Sequence, residues 1–259
     1  MFKKIVCLIL CLSFCFLAGC AKPEFDFKLK ETKIVEIAYD ELDAETAKDS
    51  KNYTIMISEN GSLVPYLVIA SNYHGGTLLL RKEPLDNPMP ITDTYGSYYA
   101  ESNLNQYLNN DFLKSFSADI QSRIKPSLIE ITKKDSIGTS NTYNEVIETK
   151  VFLLGTSQMG IDLQETVTHE GQIIDYFTIP ENRIAHKNGI PVSWWTRTPN
   201  TKYKSVMCGL DAAGNLNFGN ASDKNYIRPV FCVSPSTIIY KHETGDSYYW
   251  VIQGNALQK

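Results

Sequence analysis

The feature that most narrows the fold is punctuation. Short apolar runs alternate with turn residues at both ends of the chain, and a single stretch between them has a helical period. The runs are Ile34–Ala38, Tyr53–Ser58, Val64–Ile69 and Thr77–Arg81, then Trp194–Arg197, Ser205–Leu210, Asn215–Phe218, Tyr226–Val233, Thr237–Tyr240 and Tyr248–Gln253. Runs this short, bounded by Asn60-Gly61, Tyr73-His74-Gly75-Gly76 and Asp211-Ala212-Ala213-Gly214-Asn215, read as strands joined by hairpins. Between the blocks, Leu104, Leu108, Phe112 and Phe116 recur every fourth residue with Tyr107 beside them, one apolar helix face. Ser102 or Asn103 caps its start, and Asn109-Asn110-Asp111 is a place to bend. Ser117 reads as the cap of a short second helix, Ala118–Ile124, closed by Pro126. Leu128–Thr132 and Lys150–Leu154 add strands around a polar stretch, Lys133–Thr149. Residues 160–190 are mostly irregular, and so long a loop in a compact domain is usually functional or disordered. The expected class is α+β: β-rich, with one or two helices packed on short antiparallel sheets.

The first twenty residues say where such a domain goes. Lys3 and Lys4 precede an apolar run from Ile5 to Leu17 broken only by Ser13, and Leu17-Ala18-Gly19-Cys20 closes it. The run is a secretory h-region, too short for a comfortable bilayer span. The closing tetrapeptide has the form of a lipobox: small residues for the peptidase groove, then a thiol that takes a diacylglyceryl group. The expected organisation is a signal peptide (1–19), a lipidated Cys20 with a charged tether (20–33) and a single domain (34–259). Two or more acyl chains hold a protein on a bilayer without a transmembrane helix. The expected location is the outer face of the cell membrane.

Loss of Lys3 and Lys4 takes the formal net charge from -4 to -6, which argues against a nucleic-acid partner. Of six cysteines, Cys7, Cys11 and Cys15 leave with the leader and Cys20 carries lipid. Cys208 and Cys232 remain, and outside the cytoplasm two readings stand: a disulfide, or two small buried thiols. Neither has a CxxC partner, and His74, His169, His186 and His242 show no ligand spacing, so no metal and no cofactor are expected.

Catalytic patterns are weak. Ser122-Arg123-Ile124-Lys125 satisfies S-x-x-K but stands directly before Pro126 without its companion motifs. Gly155-Thr156-Ser157-Gln158-Met159-Gly160 is one residue too long for a nucleophile elbow, and Thr156 reads as a helix cap. His169-Glu170 reads as a solvated loop. Asp211, Asn215, Asn217 and Asp223 lack EF-hand spacing, and turn formation accounts for the first two.

A succession of motifs does carry a resemblance. Leu78-Leu79-Leu80 is followed by Ser-x-Leu-x-x-Tyr-Leu-Asn-x-x-Phe (Ser102 to Phe112) and Lys150-Val151-Phe152-Leu153-Leu154. Then come Arg183-Ile184-Ala185, Trp194-Trp195-Thr196-Arg197-Thr198-Pro199, a Gly-Asn hairpin and Ile227-Arg228-Pro229-Val230. Over roughly residues 60–235 this resembles an uncharacterised domain family of bacterial surface lipoproteins. That family is similar to the sulfatase-modifying-factor (formylglycine-generating) branch of the C-type-lectin-like fold. The resemblance implies that fold, with Trp194, Trp195, Arg197, Arg228 and Pro229 as framework. Alternation on a strand puts at most one tryptophan in the core, and the two guanidinium forks suit loop carbonyls or carboxylates. Ligands of such folds meet the long loops, which points to 160–190 and to the 203–226 surface, with Tyr203, Asn217, Asn220 and Tyr226 as candidates. The calcium motifs of sugar-binding lectins are missing, and the context of Cys208 and Cys232 does not match the copper-holding pair of the oxidases. The expected function is non-catalytic recognition of a glycan, peptide or partner protein, since tyrosine gives contact area at low entropic cost. The alternatives are an envelope enzyme, either a cell-wall hydrolase or a formylglycine-generating-like oxidase, and a scaffolding lipoprotein.

Overall fold

Turn chemistry sets the start of the large sheet. The computed structural model describes residues 31–34, 54–161, 165, 167–244 and 247–252. The expected signal peptide, Cys20, most of the expected tether and the rest of the Ile34–Ala38 run lie outside the described residues. The end of the tether is a correction: Glu31–Lys33 is a strand (β1) that pairs with a late one. β2 (Thr54–Glu59) and β3 (Ser62–Tyr73) meet at Asn60-Gly61, and β3 meets β4 (Gly76–Arg81) at His74-Gly75. Both loops have two residues, each at positive φ (48° and 83°, then 49° and 75°), the geometry whose twist matches the flanking strands.

The four-residue period does not make one continuous helix. An α-helix, α1 (Asn103–Tyr107), starts where the Ser102 hydroxyl accepts the Asn105 amide at 3.1 Å. A step of four drifts by about 40° at 3.6 residues per turn. One wide π turn at Leu108–Phe112 takes up that drift, and a 3₁₀ turn follows at Leu113–Ser115. Leu104, Leu108, Phe112 and Phe116 therefore all stay buried. Asn109 fastens the wide turn, its amide oxygen accepting from the Lys150 and Val151 main chain at 3.0 Å each. Ser117 caps α2 (Ala118–Arg123) as expected.

β5 (Ile124–Lys125) and β6 (Ser127–Thr132) follow, and the polar stretch after them hides β7 (Asn144–Thr149), in full antiparallel register with β6. Its outward side chains are solvated, so the apolar alternation that marks a strand is faint. Only Val151–Phe152 of the next run is a strand, β8. The irregular 160–190 segment ends in a small hairpin, β9 (Ala185–Lys187) and β10 (Ile190–Val192), around Asn188-Gly189. β11 (Trp194–Pro199), β12 (Val206–Leu210) and β13 (Leu216–Asn220) make a three-stranded antiparallel sheet. β14 is Val230–Val233, shorter than expected because Tyr226 forms only a bridge to Trp194. β15 (Ile238–Thr244) and β16 (Ser247–Val251) close the described chain.

The large sheet runs β1-β15-β16-β2-β3-β4-β14-β5, with β8 also on β14, and is antiparallel except where β16 meets β2. The fold is α+β and β-rich. Phe231 of β14 ties the sheet to the helical segment, with ring centroids 5.2 Å from Tyr66 and 5.3 Å from Phe116. Among the described residues no helix is long and apolar enough to cross a membrane.

One expectation fails because the three-stranded sheet is covered on both faces. Trp194 and Trp195 are both buried, at 0% and 3% exposure. The Trp194 indole donates to the Arg183 carbonyl and lies under the Arg228 guanidinium, 5.0 Å from the ring. Trp195 fills a slot left by glycines: a Cβ on Gly219 would stand 2.7 Å from its ring, and one on Gly209 3.2 Å. Cys208 and Cys232 are free, buried thiols in different sheets, so the disulfide reading falls.

Candidate functional site

The Trp-Trp-x-Arg motif leads from the fold to the site. Arg197 is fully buried and spends its fork on the chain itself. Its Nε donates to the Glu130 carbonyl at 2.9 Å, and its two terminal nitrogens reach the carbonyls of Leu153 (2.7 Å) and Glu170 (2.9 Å) and the Gln158 amide oxygen (2.7 Å). Four segments are thereby fixed at one point. Its counter-ion is Glu170, 3.5 Å away and equally buried. Glu170 accepts from the Thr132 amide (2.7 Å), the Thr132 hydroxyl (2.8 Å) and the Thr198 hydroxyl (2.8 Å). Burial nevertheless holds its pKa above the usual carboxylate range, the guanidinium and hydrogen bonds offsetting only part. The solvated loop expected at His169-Glu170 is half wrong: His169 is exposed and Glu170 is not. Its neighbour Gly155 has no room for a side chain, since a Cβ there would lie 3.0 Å from Glu170.

Gln158 carries the node outward. Its oxygen accepts from Arg197 and from the Gly155 amide at 3.1 Å, so its NH₂ must turn the other way, where it donates to the Tyr73 hydroxyl at 2.8 Å. Tyr73 oxygen is thus an acceptor for Gln158, and its proton is left to point elsewhere. Burial raises the Tyr73 pKa, so the hydroxyl stays a protonated donor at neutral pH.

Elsewhere is a groove of about 790 Å³, within the size range of small-molecule and peptide-segment sites. One side is β3 from Leu67 to Tyr73 with His74 of the turn; the other is the segment Gly171–Ile179. Ile173 and Ile179, each 47% exposed, and the half-buried Tyr176 give it an apolar wall. Glu130 and Asp175 are exposed carboxylates at its rim, Arg197 closes its floor, and Asn182 is fixed to the Tyr176 carbonyl at 2.6 Å. The arrangement can hold a ligand acceptor on Tyr73 Oη, apolar groups on the isoleucines and a positive group at the rim.

The sequence-based candidates divide. The 160–190 segment supplies one wall of this groove. Tyr203, Asn217, Asn220 and Tyr226 do not line it. Tyr203 is 53% exposed with its ring 5.6 Å from the Lys202 ammonium. Asn217 oxygen accepts from the Phe218 amide at 2.8 Å, Asp223 accepts from the Asn220 amide at 3.0 Å, and Tyr226 is half-buried with its carbonyl on the Trp195 amide. Arg228 and Pro229 are framework: Arg228 reaches the carbonyls of Arg81 and Lys82, and the Pro229 carbonyl accepts the Arg81 amide. Arg228 meets no carboxylate among the described residues, and burial lowers its pKa to about 10.

Other motifs dissolve locally. The Ser122 hydroxyl donates to the Asp119 carbonyl and Lys125 to the Gly75 carbonyl, so they do not act as a pair. Asp211 caps its own hairpin by accepting the amides of Ala213 and Asn215. Thr156 precedes a 3₁₀ turn but sends its hydroxyl to Thr198. Burial pushes the Cys208 thiol well up and that of Cys232 up to about 11, the reverse of a reactive thiolate. Among the described residues no three His, Cys, Asp or Glu side chains gather as a metal site. Sequence reasoning missed Tyr73, Gln158 and Glu170; the Tyr73-His74-Gly75-Gly76 cluster was the available signal, and it read only as a turn.

An α+β domain with an arginine node under a groove defines a class only by shape. The chain belongs to the family described as a domain of unknown function, DUF6273, which it matches over residues 74–235. That span holds the node, Gln158 and the wall segment, and begins one residue after Tyr73. Comparison with curated proteins and with solved structures gives no significant match.

Proposed function

We propose that this chain is a non-catalytic recognition lipoprotein, tethered by lipid on Cys20 to the outer face of the cell membrane, and that the Tyr73 groove is its binding site. The observation that carries the reading is the orientation of one hydroxyl. Arg197 and Gly155 fix Gln158, Gln158 occupies the Tyr73 oxygen, and the Tyr73 proton is held ready for an acceptor beside an apolar wall. A preorganised donor of this kind lowers the ordering cost of binding. Supporting the location is the leader itself, Lys3-Lys4, an apolar run and Leu17-Ala18-Gly19-Cys20. The motif order from Ser102 to Pro229 supports a C-type-lectin-like fold, related to the sulfatase-modifying-factor branch.

The test uses the full-length chain in detergent against glycan and peptide arrays, with Tyr73→Phe and Ile173→Asp beside the parent. The reading expects one ligand class whose binding both variants weaken. Binding indifferent to both variants, or turnover of an array compound, would contradict it. Mass spectrometry of the N-terminal peptide should find Cys20 carrying diacylglycerol; an unmodified thiol removes the anchor.

A further inference from the structure

We infer that the groove works by strand addition, and that its ligand is an extended peptide with apolar side chains and at least one basic side chain. The inference rests on the recognition reading of the same groove and names the ligand class.

Three observations carry it. The first is an open edge. Among the described residues β2 covers β3 as far as Leu67, opposite Thr54, and β3 continues to Tyr73 with β4 on its other side. Among the described residues nothing pairs with the β2 side of Val68–Asn72. Pairing order shows which groups face out. The Arg81 amide bonds away from β3, to Pro229, and the Lys82 amide bonds to Pro65. Alternation then turns Leu67 and Ala70 toward β4, through the bulge at Ile69, and leaves the main-chain groups of Val68 and Ser71 on the open side. An unpaired edge is a template for another strand. The segment Val68-Ile69-Ala70-Ser71-Asn72 has no lysine or proline to block it. Its only irregularities are two register shifts, and bulges recur beside binding sites.

The second observation is where the groove lies. It is lined by every residue from Leu67 to His74 in succession. A site on a strand's face is lined by alternate residues, so consecutive lining marks an edge. An incoming strand would have Ile173 and Ile179 facing it and the Tyr73 hydroxyl within the same space.

The third is charge. Glu130 and Asp175 stand exposed at the rim, while the fixed cation among the lining residues, Arg197, is turned inward to carbonyls. A basic side chain on the ligand is attracted and an acidic one repelled. Aliphatic walls favour a peptide over a glycan, which would want a flat aromatic platform and a denser set of polar groups.

The experiment titrates the full-length chain with a library of end-blocked, fluorophore-labelled octapeptides, followed by N-methylation of alternate residues in the best binder. The expected result is selection of alternating apolar residues with a lysine or arginine. Methylation along one edge of that peptide should weaken binding about tenfold or more, and methylation along the other edge should not, because two lost main-chain bonds are worth that much. Ser71→Pro should weaken binding similarly while melting temperature is kept. If that variant fails to fold, the methylation series still decides. Binding unaffected by methylation on either edge overturns strand addition and leaves the recognition reading standing. A glycan captured in a Tyr73-dependent manner, with no peptide bound, does the same. Self-association that Ser71→Pro abolishes, with no peptide bound, makes a second copy the occupant and overturns the peptide. Capture of neither peptide nor glycan removes both readings.

Discussion

The arginine node and the groove lie back to back and treat polar groups in opposite ways. At the node, Arg197 and Glu170 spend their hydrogen bonds on Gln158, on two threonines and on the main chain. Across Gln158, the Tyr73 hydroxyl proton and the β3 edge at Val68 and Ser71 meet no partner among the described residues. A buried ion pair is a poor source of stability by itself but an effective way to fix geometry. Trp-Trp-x-Arg thus stands one residue, Gln158, removed from the groove. The closed side sets the aim of the open side.

The largest effect should come from breaking the closed side. Arg197→Met leaves Glu170 buried without its counter-ion and takes the Arg197 donors from the carbonyls of Glu130, Leu153 and Glu170, and should cost about 3–5 kcal/mol, read as a fall in denaturant midpoint. Arg197→Lys should recover little, since an ammonium cannot span the fork. Next is the tryptophan slot: Gly219→Val pushes a side chain into Trp195 and should cost about 1–3 kcal/mol, seen as a lowered melting temperature. Third is a pH effect worth at most one proton. Glu170 has its pKa raised in the fold, so its contribution is full at pH below the unfolded carboxylate pKa and is lost as pH rises through the folded value. Glu170→Gln should flatten that decline in stability between mildly acidic and neutral pH. Smallest is the surface first favoured for binding: Tyr203→Ala should change stability by less than about 0.5 kcal/mol and leave groove binding unchanged.

The sequence made the elements of the fold legible wherever a local signal was strong. Asn60-Gly61 and His74-Gly75 take the positive φ values that their residue types suit, and Ser102 and Ser117 cap the helices they precede. Asn188-Gly189 carries an equal signal inside a segment whose residues otherwise lack periodicity. β7 was illegible because an exposed ribbon needs no apolar stripe. The tryptophan doublet misled through a sound rule, strand alternation, applied to a sheet whose two covered faces no sequence window reveals. Glu170 and Gln158 were illegible for a deeper reason. Their roles exist only where Arg197, many residues away in the chain, is brought against them.

The most direct test of the account is amide hydrogen exchange on the free full-length chain, resolved at Val68, Ser71 and the β12 amides. The account predicts that Met207–Leu210 exchange only through global unfolding while the Val68 and Ser71 amides exchange orders of magnitude faster. Equal protection of the two sets would mean that the β3 edge is already paired in the free protein, and the contrast between a closed node and an open groove would not hold.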